Sequence, residues 1–104
     1  MISTQIVDTS TGRPAARVAV ELDMFITGHG WREVGRGITN VEGWIDSFGA
    51  PSAPGVYRMM FDVASYVPNA FFPSIAVTFE ITEADQPHHI PLILSPFGYS
   101  VYVA

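Results

Sequence analysis

The stretch His88-His89-Ile90-Pro91-Leu92-Ile93-Leu94-Ser95-Pro96-Phe97-Gly98-Tyr99-Ser100-Val101-Tyr102 decides how this chain is read. It predicts two strands joined at a Ser-Pro-Phe-Gly turn. Strand side chains alternate between faces, so His88, Ile90, Leu92 and Leu94 fall on one and His89, Pro91 and Ile93 on the other. The Ile90, Leu92 and Leu94 face reads as core, with His88 at the strand's exposed end. His89 then lines the second face. A stretch this apolar is expected to pack in a sheet and to meet another chain. Neighbouring strand histidines point apart and cannot share one ion. No metal or other cofactor is therefore expected.

Working back toward the N-terminus, strand signals dominate. Arg17 to Ile26 alternates, with Val18, Val20, Leu22 and Met24 against Glu21 and Asp23. Thr27-Gly28-His29-Gly30 reads as a hairpin loop with an exposed His29, and Trp31 to Thr39 as its return strand. Trp44 to Phe48, Val56 to Asp62 and Ser74 to Thr82 read as further strands, and Gln5 to Asp8 as a short first one. Gly49 to Gly55 is a small-residue loop, and Phe71, Phe72 and Phe97 are expected to be packing residues. Val63 to Ala70 is the one candidate helix, limited by Pro68. About eight short strands at regular spacing predict an all-β, two-sheet sandwich in one domain, residues 1–104.

Composition narrows the function classes. Of the 104 residues, 48% are hydrophobic and 14% charged. A soluble domain averages about 25% charged, and so small a domain cannot bury all this apolar surface alone. Oligomerisation follows as an expectation. The net charge is −5, and none of the basic residues is Lys. The scattered Arg residues make no basic face for nucleic acid or for an anionic membrane. Cys is absent, which excludes disulfides and thiolate chemistry. Ser10 sits in a turn with no histidine near it in sequence, so no Ser-His-Asp triad is assembled. No leader-like segment and no membrane-length apolar run occurs, and a cytoplasmic location is the default expectation.

Two motifs then carry a resemblance. Asp8-Thr9-Ser10-Thr11-Gly12-Arg13-Pro14-Ala15 resembles the first signature of the transthyretin-like family, whose enzyme branch is 5-hydroxyisourate hydrolase. Leu94-Ser95-Pro96-Phe97-Gly98-Tyr99-Ser100 resembles the second. Gly55-Val56-Tyr57-Arg58 and Phe71-Phe72-Pro73 fall where the family has them, so the resemblance covers nearly the whole chain. It implies an eight-stranded two-sheet sandwich with one short helix. It also implies a homotetramer, a dimer of edge-paired dimers enclosing a channel walled by the second face of Pro91–Ile93.

The same resemblance points to a rebuilt site. The family's first-strand His falls on Gln5, and the Arg after the turn glycine falls on Trp44. The His before the Ile-Pro step is kept as His89. The terminal Tyr-Arg-Gly-Ser falls on Tyr102-Val103-Ala104. The resulting expectation is a diverged homologue in which His89 is the sole general acid–base, Gln5 orients a carbonyl or hydroxyl, and Trp44 stacks on the substrate. Pro91, Ile93, Ser100 and Tyr102 line the channel. The substrate would be a larger, more apolar small molecule, changed by cyclisation, isomerisation or hydrolysis. Two alternatives stand beside it: a non-catalytic small-molecule carrier, as transthyretin is, and a residual 5-hydroxyisourate hydrolase of urate catabolism. In that last case Arg32, Arg36 or Asp46 would contribute in place of the missing groups.

Overall fold

A computed structural model describes residues 1–49 and 53–104. The expected loop from Gly49 to Gly55 therefore lies partly outside the described residues. Two sheets face each other, as the spacing predicted. The first is built around β1 (Ile2–Asp8). β2 (Arg13–Pro14) and β5 (Trp44–Ile45) pair with it antiparallel, and β8 (His88–His89) and β9 (Leu92–Ser95) pair with it parallel. β10 (Gly98–Val101) closes back on β9 across the Ser-Pro-Phe-Gly turn and forms the outer edge. The second sheet has the order β4 (Gly30–Ile38), β3 (Ala19–Ile26), β6 (Gly55–Asp62), β7 (Ser74–Ile81).

Alternation explains the core. In β1, Ile2, Thr4, Ile6 and Asp8 are buried, while Ser3, Gln5 and Val7 are half-buried on the opposite face. In β6, Tyr57, Met59 and Phe61 point in, the parity read from the sequence. They meet Val20, Leu22, Ile75 and Ile81 of their own sheet and Ile6, Leu92 and Leu94 of the other. Burial of apolar surface at roughly 25 cal/mol per Å² drives this closure.

Four expectations need correction. The Val63–Ala70 helix is only a 3₁₀ turn over Val63–Ser65. Asp62 caps it by accepting the Ser65 N–H, but Pro68 has no N–H to continue it and Asn69 turns to φ 60°. The Trp44 strand stops at Ile45. Asp23 is buried rather than solvated, although it keeps its place in the alternation of β3, whose pairing with β6 is regular; the extra residue of the β3–β4 irregularity is Val34 of β4. Arg58 then covers it, donating to Asp23 Oδ2 at 2.9 Å while lying 4.3 Å over the Trp31 ring. Finally, Phe71 and Phe97 are 65% and 79% exposed. They join Phe72 and Tyr99 in an edge-to-face chain on the surface instead of packing inside.

The strand predicted from His88 to Leu94 breaks at Ile90-Pro91. Pro91 can donate no ladder bond, yet the break is fully tied down. The Ile90 N–H donates to Ser3 O at 3.0 Å, and the Thr4 hydroxyl donates to Ile90 O at 2.6 Å. Thr4 is buried, and this bond satisfies it.

Candidate active site on the outer face of the first sheet

Register assembles the site. Ser3 is the Cα partner of His89 across the parallel β1–β8 pair, and Gln5 is the partner of Trp44 across β1–β5. Val7 pairs with Ile93, and Ile93 with Ser100. Pairing and parity thus put Ser3, Gln5, Val7, Trp44, His89, Ile93 and Ser100 on one outward face drawn from five strands.

His89 is the centre of this face. Its Nδ1 lies 2.9 Å from Ser3 Oγ. Its ring stacks on Trp44, centroids 4.3 Å apart and planes 13° from parallel. Burial under the indole holds the imidazole pKa below its ordinary value, because the charged form loses hydration. The ring is therefore neutral at physiological pH, the state in which one nitrogen can accept a proton. The His89 carbonyl is also occupied: the Ala104 N–H donates to it at 3.0 Å.

The sequence-based candidates are brought together incompletely. Gln5, Trp44, His89, Ile93 and Ser100 share the face. Pro91 does not: it is buried, because the break after Ile90 takes it out of the strict alternation. Tyr102 is exposed and lies beside the break, its N–H reaching Pro91 O at 3.4 Å. His88 is half-buried rather than at an exposed end, with Nδ1 buried and unpartnered among the described residues. His29 is exposed, as expected.

Arg32 and Arg36 belong to β4 in the other sheet, and Arg36 is held by Glu33. Ser3 was missed, although the alternation that selects Gln5 also selects the residue two before it.

Asp8 and Ser10 of the first signature serve structure. The buried Asp8 carboxylate accepts from the Ser10 N–H and hydroxyl and from the Tyr66 hydroxyl at 2.8 Å. Burial pushes its pKa up, but these hydrogen bonds outweigh burial and leave it below 3.8. Tyr66, desolvated and facing that charge, is pushed up to about 12.

Among the described residues no three His, Asp or Glu side chains converge as metal ligands. No helix of the described residues is long and apolar enough to cross a membrane. A groove of about 530 Å³ lies elsewhere, between β3, β4 and β6 near Ala19, Arg36 and Met60. It shares no residue with the His89 face.

Comparison with known proteins places this arrangement. The chain is 38% identical, over 97% of its length, to the uric acid degradation bifunctional protein TTL of Arabidopsis thaliana, and spans 36% of that protein. It is 36% identical over 98% of its length to the 5-hydroxyisourate hydrolase of Salmonella dublin, covering 79% of it. Sea bream transthyretin in complex with thyroxine superposes with a TM-score of 0.91 at 28% identity, covering 99% of this chain and 93% of that one. The family model described as HIUase/Transthyretin family matches residues 2–103. Fold and sequence agree, and the chain belongs to the HIUase/Transthyretin family.

Proposed function

We propose that this chain is a small-molecule hydrolase of the 5-hydroxyisourate type, working with a reduced set of catalytic groups. The observation that carries it is the neutral His89, held by Ser3 on one side and Trp44 on another, on the same face as Gln5. Relatives named as 5-hydroxyisourate hydrolases favour this chemistry over the changed reaction expected from the substitutions. His89 takes a proton from water as the oxygen attacks a ring carbonyl carbon. It then returns the proton to the leaving nitrogen. The Gln5 amide donates to the oxygen on which charge develops. With one histidine instead of two, turnover is slower by about 10²–10⁴ than in a member that keeps both.

The working unit is a homotetramer in which this face meets its counterpart across a channel. Apolar composition, the unpaired edges of β7 and β10, and the exposed Phe71 and Phe97 support it. Ultraviolet decay of hydroxyisourate tests the activity. Decay above the buffer rate in wild type, lost in His89→Ala, is expected. No acceleration by wild type would reject the hydrolase reading.

One observation favours a second reading, a flat and more apolar ligand bound or converted at this face. Trp44 stands where the resemblance places the family's Arg, and none of the residues in register on the face carries a fixed charge. An anion finds no partner there, while a flat ring finds an aromatic surface. Quenching of Trp44 emission by uncharged planar heterocycles, absent in Trp44→Phe, would favour it. Trp31 alone emits in that control, which gives the background to subtract.

A further inference from the structure

Among the described residues Ser3 makes the one side-chain hydrogen bond to the His89 ring. Its place is structurally fixed: it sits mid-strand in β1, its carbonyl accepts the Ile90 N–H at 3.0 Å, and its Cα partner is His89 itself. The ring has no second hydrogen bond among the described residues, so Nδ1 is spoken for and Nε2 is the working nitrogen. Trp44 stacking restricts the ring plane but not which nitrogen carries the proton, since an indole face does not distinguish them. Among the described residues only Ser3 makes that distinction.

A hydroxyl can donate to Nδ1 or accept from it. For His89 to act as a base toward water, Nε2 must hold a lone pair, and Nδ1 must carry the hydrogen. We propose that Ser3 is the positioning residue of this site, accepting the Nδ1–H of His89 and thereby presenting an unprotonated Nε2 to the ligand. The inference rests on the proposed hydrolase reading for its catalytic consequence, but the tautomer itself is a property of the free protein.

A Ser hydroxyl 2.9 Å from an imidazole also has the geometry of a nucleophile and its base. Two observations speak against that role. A base working from Nδ1 needs Nε2 oriented by a third group, and none of the described residues hydrogen-bonds it. The backbone N–H groups on either side of His89 are also committed: His88 donates to Met1 O at 2.8 Å and Ile90 donates to Ser3 O, so neither can receive an oxyanion.

The test is side-chain ¹⁵N NMR of the three histidines in the intact, ligand-free protein, with His89 assigned by its loss in His89→Gln. Wild type should show His89 protonated on Nδ1. Ser3→Ala should shift it to a mixture, and Ser3→Thr should restore the wild-type pattern. In the hydroxyisourate assay, Ser3→Ala should lower kcat by about 10-fold to 100-fold with little change in KM, and Ser3→Thr should recover it. A dominant Nε2–H tautomer in wild type would overturn the inference, as would a spectrum unchanged by Ser3→Ala. A mass increase localised to Ser3 after incubation with hydroxyisourate would also overturn it, in favour of the nucleophile. Because the spectra need no substrate, a protein without hydrolase activity would sink the functional reading and leave the tautomer measurement standing.

Discussion

Two buried or half-buried groups set the pH behaviour. His89 binds its proton less readily folded than unfolded. Its neutral form is therefore fully favoured above an imidazole's ordinary pKa of about 6.5, and stability is lost as pH falls through that value toward the lowered one. The acid limb of activity should lie below about pH 6.5 for the same reason. A limb above that value would mean another group is titrating. Asp8 has its pKa lowered in the fold, so its contribution is present above 3.8 and lost as pH falls through the depressed value. Tyr66→Phe removes a charge-assisted bond to this carboxylate and should cost about 1.5–3 kcal/mol at pH 7. Urea denaturation at pH 7 and at pH 2.5 checks it. An equal loss at both would assign the effect to packing instead. At this scale the sequence was legible in parity and opaque in partners. His89 and Gln5 could be singled out by alternation and resemblance, but nothing near Asp8 in sequence announces Tyr66. Ser3 was readable in principle, as the next outward residue before Gln5.

Elements show the same division. The face-by-face reading of β6 and of β9 held because a half-buried strand imposes a period of two on its own residues. It failed where another side chain covers an outward residue, as Arg58 covers Asp23, and where the backbone leaves that period, as at Pro91. The first has no local signal, while the second is announced by the proline itself, which can donate no ladder bond. The turn that delivers Trp44 is better determined. Asn40 Oδ1 accepts the N–H groups of Glu42 and Trp44, and Gly43 adopts φ 79°. The Ile6 N–H bonds Gly43 O at 2.9 Å, and a Cβ on Gly43 would lie 2.5 Å from Ile6 O. Gly43→Ala combines left-handed strain with a backbone clash that cannot be relieved by a rotamer. It should cost about 2–3 kcal/mol, read as a lower urea midpoint at constant slope. A change under about 0.5 kcal/mol would show that the turn relaxes freely.

For the whole molecule, charge and composition were informative early. An acidic chain with 14% charged residues and no Lys gives no basic surface, and the apolar excess calls for partners. Light scattering at micromolar concentration should give a mass four times the 11.3 kDa chain. A monomer mass would remove the channel from the proposed function. What no local pattern conveyed is that β8 and β9 lie parallel to β1, placing Ser3 beside His89 across 86 positions. That pairing has a consequence for biosynthesis. When residue 81 has left the ribosome, all four strands of the second sheet exist, but β1 still lacks its parallel neighbours. Ile6 and the rest of the inner face of β1 then have no Leu92 or Leu94 to meet. Such pairings across long loops form slowly and leave a nascent chain open to misassociation. The His89 face can thus be completed only by the last strands in chain order, and until then the apolar inner side of the second sheet awaits its cover.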